Sequence, residues 1–118
     1  MGPEEFFAGH PLALAVFAKV RSILEALGPV DIRTSKSQVA FRRKRGFAYL
    51  WLPGRYLDKP AADVVLTLAL GRQHSSPRFK EVAHPSPNHW MHHLEVNDAA
   101  DIDDEVASWL REAAERSG

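Results

Sequence analysis

The stretch QVAFRRKRGFAYLWLP, residues 38–53, decides the fold. Apolar and polar side chains alternate through Val39, Phe41 and Arg43, a turn follows at residues 44–46, and alternation resumes at Phe47. A period of two residues is typical of strands, so the pattern predicts an antiparallel hairpin. We expect Gly46 to take the left-handed conformation that a three-residue hairpin loop needs.

The segments on either side of this hairpin extend the strand pattern. VDIRTSK at residues 30–36 predicts a preceding strand with a turn near residues 35–37, and DVVLTLALG at residues 63–71 predicts a later strand. Residues 79–84 and 89–96 predict one interrupted strand or two short ones, because Pro85 and Pro87 cannot donate ladder hydrogen bonds. The chain therefore has five or six strands.

Two helices flank the strands. HPLALAVFAKVRSILEALGP at residues 10–29 repeats its apolar residues with helical spacing, starts at Pro11 and stops at Gly28. A second helix is expected from about Ile102 to Arg116, with Asp101 as its N-cap. The order helix, strands, helix cannot build strand–helix–strand crossovers, so it predicts an α+β fold with two layers and a mainly antiparallel sheet.

Composition predicts one domain over residues 1–118, with residues 1–9 as a flexible extension. The absence of cysteine excludes disulfides and thiolate metal sites. The N-terminus lacks the positive charge of a secretory signal, and the apolar run at residues 12–18 is too short to cross a bilayer. We therefore expect a cytoplasmic protein without a membrane partner.

The second face of the sheet poses a problem. FAYLWL at residues 47–52 and VVLTLAL at residues 64–70 are apolar on both faces, whereas a face open to water should alternate with polar residues. A dimer partner, a ligand held in a curved sheet, or the protein's own loops could cover it. The pattern favours none of the three.

NHWMHHLEV at residues 88–96 raises the question of a metal site, because it holds three histidines. In a helix, His89 and His93 would share one face at the spacing that zinc sites use. On a strand they are about 13 Å apart, and His92 and His93 point to opposite sides. The preceding prolines and the alternation favour a strand, so we expect no metal and no cofactor.

The net charge of zero hides two blocks of opposite sign. Residues 32–80 carry eleven Lys or Arg against Asp58 and Asp63, and residues 94–118 carry eight acids against two arginines. The basic block could meet an anionic partner. Alternatively, the acidic helix neutralises the basic strands within the fold.

Residues 42–45, which we call the hairpin tip, are all basic and lie beside aromatic residues, a combination that binds single-stranded nucleic acid. The simpler interpretation is a solvated edge with core aromatics. The binding hypothesis assigns an anionic small molecule or single-stranded nucleic acid to the following ligand-binding residues: Arg42, Arg43, Arg45, Tyr49, Trp51, Arg72, Arg78, Trp90 and His92.

No catalytic motif stands out, so no catalytic residue is assigned and a non-enzymatic binding module is the leading hypothesis. The enzymatic alternative is a metal-independent phosphodiesterase or ribonuclease, which would use two imidazoles beside Arg78 and Lys80. The structural alternative is a homodimer that buries the second apolar face.

Four stretches together resemble the bacterial domain-of-unknown-function 5655 family: SKSQVAFRRKRGFAYLWLPGRYL, VVLTLALGRQHSSPRFKEVAHPSP, WMHHLEV and DIDDEVASWLREAAERSG. The resemblance covers roughly residues 10–118, and the matching positions include Phe41, Arg43, Phe47, Ala48, Arg78, Trp90, His92 and His93. It implies a small α+β domain, alone or fused to other domains. It brings no established activity and supports a strand at WMHHLEV.

Overall fold

The computed structural model describes residues 1–56, 58, 60 and 62–118. Its helices are α1 (Pro3–Phe6), α2 (Pro11–Leu27) and α3 (Asp104–Arg116), with two short 3-10 helices at Pro53–Arg55 and Ala99–Asp101. Its strands are β1 (Asp31–Thr34), β2 (Val39–Arg42), β3 (Gly46–Trp51), β4 (Val64–Leu70), β5 (Phe79–Ser86) and β6 (His89–Val96).

The six strands form one antiparallel sheet in the order β1-β2-β3-β4-β6-β5. Together with the helix at each end of the chain, this sheet confirms the predicted α+β fold. Strand β4 lies inside the sheet between β3 and β6, and all seven of its residues are buried. This burial on both faces explains why VVLTLAL is apolar apart from Thr67.

The two faces of the sheet are different environments. Residues of α2 and α3 join one face in a single core, and we call that side the helix face. Strand residues in this core include Val39, Phe41, Leu50, Leu66, Leu68, Leu94 and Val96. The other side, which we call the open face, carries the alternate residues Ala40, Tyr49, Trp51, Val65, Thr67, Met91 and His93.

The prediction for Gly46 was wrong. Gly46 is the first residue of β3, and the only described residues with positive φ are Gly9 and Gly28. The register shifts between Phe41 and Arg42, which is the mark of a β-bulge. A Cβ at position 46 would lie 3.0 Å from Cζ of Tyr49 and even closer to the hydroxyl, so a larger residue there would have to displace the Tyr49 ring.

The N-terminal residues are packed against the domain. Phe6 and Phe7 are 1% exposed, and they extend an aromatic series through Phe17 to Phe41. The ring centroids are 4.9 Å apart for Phe6 and Phe7 and 5.8 Å apart for Phe17 and Phe41. Phe6 and Phe7 of the expected flexible extension therefore belong to the hydrophobic core. Because acidic residues precede the two rings, composition alone hid this role.

The start of α3 also differs from the prediction. Asp103 is the N-cap, and its Oδ1 accepts a hydrogen bond from the amide of Val106 at 3.0 Å. The predicted cap, Asp101, ends the preceding 3-10 helix, where its carboxylate accepts from the amides of Asn97 and Asp98. Several closely spaced aspartates can each cap a turn, so local sequence did not choose between them.

The sequence left open whether residues 79–96 form one interrupted strand or two. They form two separate strands, β5 and β6. Pro85 lies inside β5, where the register with β6 shifts between Ala83 and Ser86. Proline is tolerated there because β5 is an edge strand. Within the described part of the chain, no helix is both long enough and apolar enough to cross a membrane.

Candidate functional site

The floor of the open face, meaning the residues nearest the sheet backbone, is buried but does not belong to the core on the helix face. Ala40, Val65, Thr67 and Ala69 are between 2% and 8% exposed, yet none of the four belongs to the helix-face core. Larger side chains on the same face cover them, so the protein's own residues cover much of the second apolar face. This burial answers part of the question that the sequence left open.

A hollow of about 430 Å³ opens on this face. Its lining is mostly aromatic and apolar, with a few polar groups: Ser37, Gln38, Tyr49, Trp51, Tyr56, Thr67, Ala83, Met91 and His93. Tyr56 follows the 3-10 helix Pro53–Arg55 and meets Trp51 edge to face, with ring centroids 6.1 Å apart. Tyr56 is 59% exposed and forms part of the hollow's outer wall.

Three side chains form a hydrogen-bonded series in the hollow. The indole Nε1 of Trp51 donates to Oγ1 of Thr67 at 2.9 Å. The same oxygen lies 2.7 Å from Nδ1 of His93. Strand register explains this contact, because Tyr49, Thr67 and His93 lie opposite one another on β3, β4 and β6. The series orients both rings.

The surroundings shift two pKa values in the hollow. Burial lowers the pKa of His93 below its ordinary value, and the nearby carboxylate of Glu81 partly opposes the shift. Burial also raises the pKa of the Tyr49 hydroxyl, and the positive charge of Arg42 partly offsets it. Both directions favour uncharged side chains, so the hollow is neutral near pH 7.

The charges near the hollow are balanced. Nζ of Lys80 lies 4.0 Å from Oε1 of Glu95, and Glu81 lies opposite His93 on the neighbouring strand. At the β1 edge, Nε of Arg33 lies 2.9 Å from a carboxylate oxygen of Asp31. The open face is therefore aromatic without being strongly basic.

The basic hairpin tip contacts the C-terminal end of α3. The guanidinium of Arg43 donates to the carbonyl of Ala114 at 3.3 Å, and that of Arg45 donates to the carbonyl of Arg116 at 3.1 Å. The amide of Lys44 donates to the carbonyl of Ser117 at 3.1 Å. Cations at the negative end of a helix are favourable, so the tip has a structural role.

Two further arginines bind acidic residues of α3. Arg72 makes two hydrogen bonds to Glu112, at 3.0 and 2.8 Å. Arg78 contacts Asp103 and Glu105, and its guanidinium carbon lies 5.6 Å from the ring centroid of Trp109. The basic strands and the acidic helix thus neutralise each other within the fold, as the second interpretation of the charge blocks proposed.

His92 and Trp90 point to the helix side, away from the hollow. His92 is fully buried, with Nδ1 hydrogen-bonded to the carbonyl of Trp90 at 3.0 Å and Nε2 accepting from the amide of His74 at 2.9 Å. Trp90 stacks on His84 with ring centroids 3.5 Å apart. The strand prediction for residues 89–96 is confirmed, and His92 and His93 lie on opposite faces.

Among the described residues, no three His, Asp or Glu side chains cluster as a metal site would require. A second, larger groove of about 650 Å³ lies beside the hairpin tip, lined by Leu27, Pro29, Val30, Asp31, Arg42, Arg43, Lys44 and Gly118. Arg42 opens into this groove, although it lies close enough to Tyr49 to affect its pKa.

The nine residues proposed from the sequence therefore do not form one surface. Only Tyr49 and Trp51 line the hollow, whereas the others bind α3, pack on the helix face or line the second groove. Sequence reasoning left Thr67 and His93 out of this set. The available signal was Thr67 itself, because a lone hydroxyl in the apolar strand VVLTLAL needs a buried hydrogen-bond partner.

The geometry defines a small α+β domain whose antiparallel sheet carries helices on one face and a hollow on the other. The chain belongs to the family described as a domain of unknown function, DUF5655, whose model matches residues 4–117. No curated protein and no solved structure matches the chain.

Proposed function

We propose that this domain is a non-enzymatic binding module, and that the hollow on the open face receives a small ligand with a flat aromatic or heteroaromatic part. The observation that carries the proposal is the lining of that hollow. Tyr49, Trp51 and Tyr56 supply ring surfaces, and Thr67 and His93 supply a few oriented polar groups. Ligand sites combine these features.

The size of the hollow supports a small molecule. Its volume of about 430 Å³ falls within the range of small-molecule sites. Aromatic walls favour flat rings, because offset or edge-to-face contacts add stabilisation beyond the buried area. A planar ring of one or two cycles fits both the volume and the walls.

The charge distribution favours a neutral ligand over an anionic one. Four of the five arginines proposed for an anion, Arg43, Arg45, Arg72 and Arg78, make hydrogen bonds to α3. A single-stranded nucleic acid could therefore stack its bases on the aromatic rings of the hollow, but few free cations among the described residues lie nearby to bind its phosphates. We expect binding there to depend weakly on salt, unlike binding dominated by phosphate contacts.

The direct test is a titration followed by tryptophan fluorescence. The probes are quinoline, adenosine, uridine and a ten-nucleotide single-stranded RNA, each at low and at physiological salt. We expect a flat ring compound to change the emission of Trp51. We expect it to lose affinity in Trp51→Ala, measured by amide chemical shifts because that variant lacks the reporter ring. Trp90→Phe is the matched control, because Trp90 stacks on His84 away from the hollow.

Three results would count against this function. Binding that survives Trp51→Ala unchanged would place the ligand elsewhere. RNA binding that weakens steeply with salt and requires Arg42 would instead favour the anionic version. If no probe alters fluorescence or amide chemical shifts on the open face, the hollow is not a site for flat rings.

The two alternatives have less support. A metal-independent phosphodiesterase needs two imidazoles facing one phosphate, whereas the ring of His92 is buried on the opposite face from His93. A homodimer was suggested by an uncovered apolar face, yet the floor of that face is already buried in the single chain. A stable dimer found by light scattering would support the homodimer hypothesis again.

A further inference from the structure

We propose that Thr67 holds His93 as a neutral imidazole with its proton on Nε2, so that the hollow selects ligands that accept a hydrogen bond. The ligand part of this inference rests on the proposed function. The inference about the His93 tautomer depends only on the hydrogen bonds that join Trp51, Thr67 and His93. The ligand class is a neutral planar ring that carries a carbonyl oxygen or an unprotonated ring nitrogen.

The inventory of donors and acceptors around Thr67 supports the tautomer. An indole nitrogen can only donate, so Trp51 occupies one lone pair of the Thr67 oxygen. The hydroxyl of Thr67 still has one hydrogen to place. Its side chain is 3% exposed, and Nδ1 of His93 at 2.7 Å is the remaining partner in the described part of the chain. Thr67 therefore donates to His93.

The opposite arrangement leaves a buried group unpaired. If Nδ1 of His93 carried the proton, Thr67 would accept from both Trp51 and His93, and its own hydroxyl hydrogen would have no acceptor. An unsatisfied buried donor is costly. The doubly protonated imidazolium has the same conflict, because its Nδ1 also donates. Burial of His93 acts in the same direction by lowering its pKa.

The ring nitrogen of His93 that does not contact Thr67 determines which ligands the hollow can bind. With Nδ1 occupied, Nε2–H is the polar group of His93 that remains for a ligand, and it is a donor. Among the described residues it has no hydrogen-bond partner. A ligand that offers only donors at this point would leave the N–H unpaired. An anion bound there would favour the imidazolium form of His93. The protein would therefore take up a proton when the anion binds.

The tautomer is tested by nitrogen-15 NMR of the histidine side chains above pH 7. We expect His93 to show a protonated Nε2 and an unprotonated Nδ1. Thr67→Val removes the donor and should weaken this preference, whereas Thr67→Ser keeps the hydroxyl and should preserve it. A parent protein with Nδ1 protonated, or a Thr67→Val protein with an unchanged His93, would overturn the inference.

The ligand class is tested with two flat bicyclic probes of similar size. Quinoline offers only an acceptor and indole only a donor. We expect quinoline to bind about tenfold more tightly than indole, as one hydrogen bond would give, and the difference to disappear in Thr67→Val. Equal affinities would refute the selectivity while leaving the hollow a binding site. If neither probe binds, the proposed function fails together with the ligand class, and the NMR result still decides the tautomer.

Discussion

At the scale of single residues, two histidines adjacent in sequence have separate roles. His92 is fully buried with both ring nitrogens hydrogen-bonded, so it acts as a structural residue of the helix face. His93 lies on the open face with one nitrogen bound to Thr67. The two-residue alternation of a strand separates them, and the partners of each ring define its role.

The buried position of His92 gives a first prediction. His92→Leu keeps a similar volume but leaves the amide of His74 and the carbonyl of Trp90 without their partner. We expect the free energy of unfolding in urea to fall by about 2 kcal/mol. His10→Ala is the control, because His10 is exposed and makes no capping hydrogen bond. A His92→Leu protein as stable as the control would contradict the structural role.

The lowered pKa values of His92 and His93 give a second prediction. In both cases burial is the main cause, and the ordinary value is 6.5. Below about pH 6.5 the unfolded chain binds protons that the folded protein does not, so folding loses stability as pH falls. We expect the free energy of unfolding to decrease between pH 7 and pH 5, by at most about 1.4 kcal/mol per pH unit for each group.

Chemical denaturation at several pH values measures this slope. His93→Gln should show a shallower decrease than the parent, because one of the two groups has been removed. A free energy that is constant from pH 7 to pH 5 would show that neither imidazole is held neutral by the fold.

At the scale of elements, α3 is held at both ends by arginines from the strands and loops. Near its start, Arg78 binds Asp103 and Glu105, and at its end Arg43 and Arg45 donate to backbone carbonyls. The last carbonyls of a helix lack internal partners, so such donors stabilise the final turn. This arrangement couples the β2–β3 hairpin to the helix layer.

The hairpin contact gives a third prediction. Arg43→Ala should destabilise the end of α3 by about 1 kcal/mol, because one hydrogen bond to the Ala114 carbonyl is lost. Hydrogen exchange of the amides at residues 113–117 should then be roughly fivefold faster. Lys44→Ala is the matched control, since Lys44 contacts Ser117 through its backbone amide. Equal exchange in both variants would rule out the side-chain cap.

At the scale of the whole molecule, the N-terminal segment closes the domain. Phe6 packs on Phe7, and the guanidinium carbon of Arg55 lies 4.4 Å from the Phe6 ring centroid. Arg55 also donates to the carbonyl of Lys36 at 2.8 Å. The first residues thus contact the 3-10 helix that precedes Tyr56, which links the N-terminus to one wall of the hollow.

This closure gives a fourth prediction. Phe6→Ala should lower the free energy of unfolding by about 3 kcal/mol, because a fully buried ring leaves a cavity. Glu5→Ala, at an exposed neighbouring position, is the control. Thermal or urea unfolding measures both variants. A Phe6→Ala protein with the control's stability would show that residues 1–9 form an extension outside the core.

The sequence by itself determined the fold class, the helices α2 and α3 and the strands, but not α1. The two-residue alternation, the helical spacing of residues 11–27 and the stop at Gly28 are local signals, because side-chain direction follows backbone geometry within a few residues. The same alternation correctly separated His92 from His93. It also explained why residues 89–96 form a strand.

Only the tertiary structure decided which side chains meet. Strand order brought Thr67 between Trp51 and His93, and the docking of α3 turned Arg43, Arg72 and Arg78 from candidate ligand contacts into contacts within the fold. The physical reason is that pairing and docking depend on residues far apart in the chain, whereas sequence periodicity reports only on near neighbours.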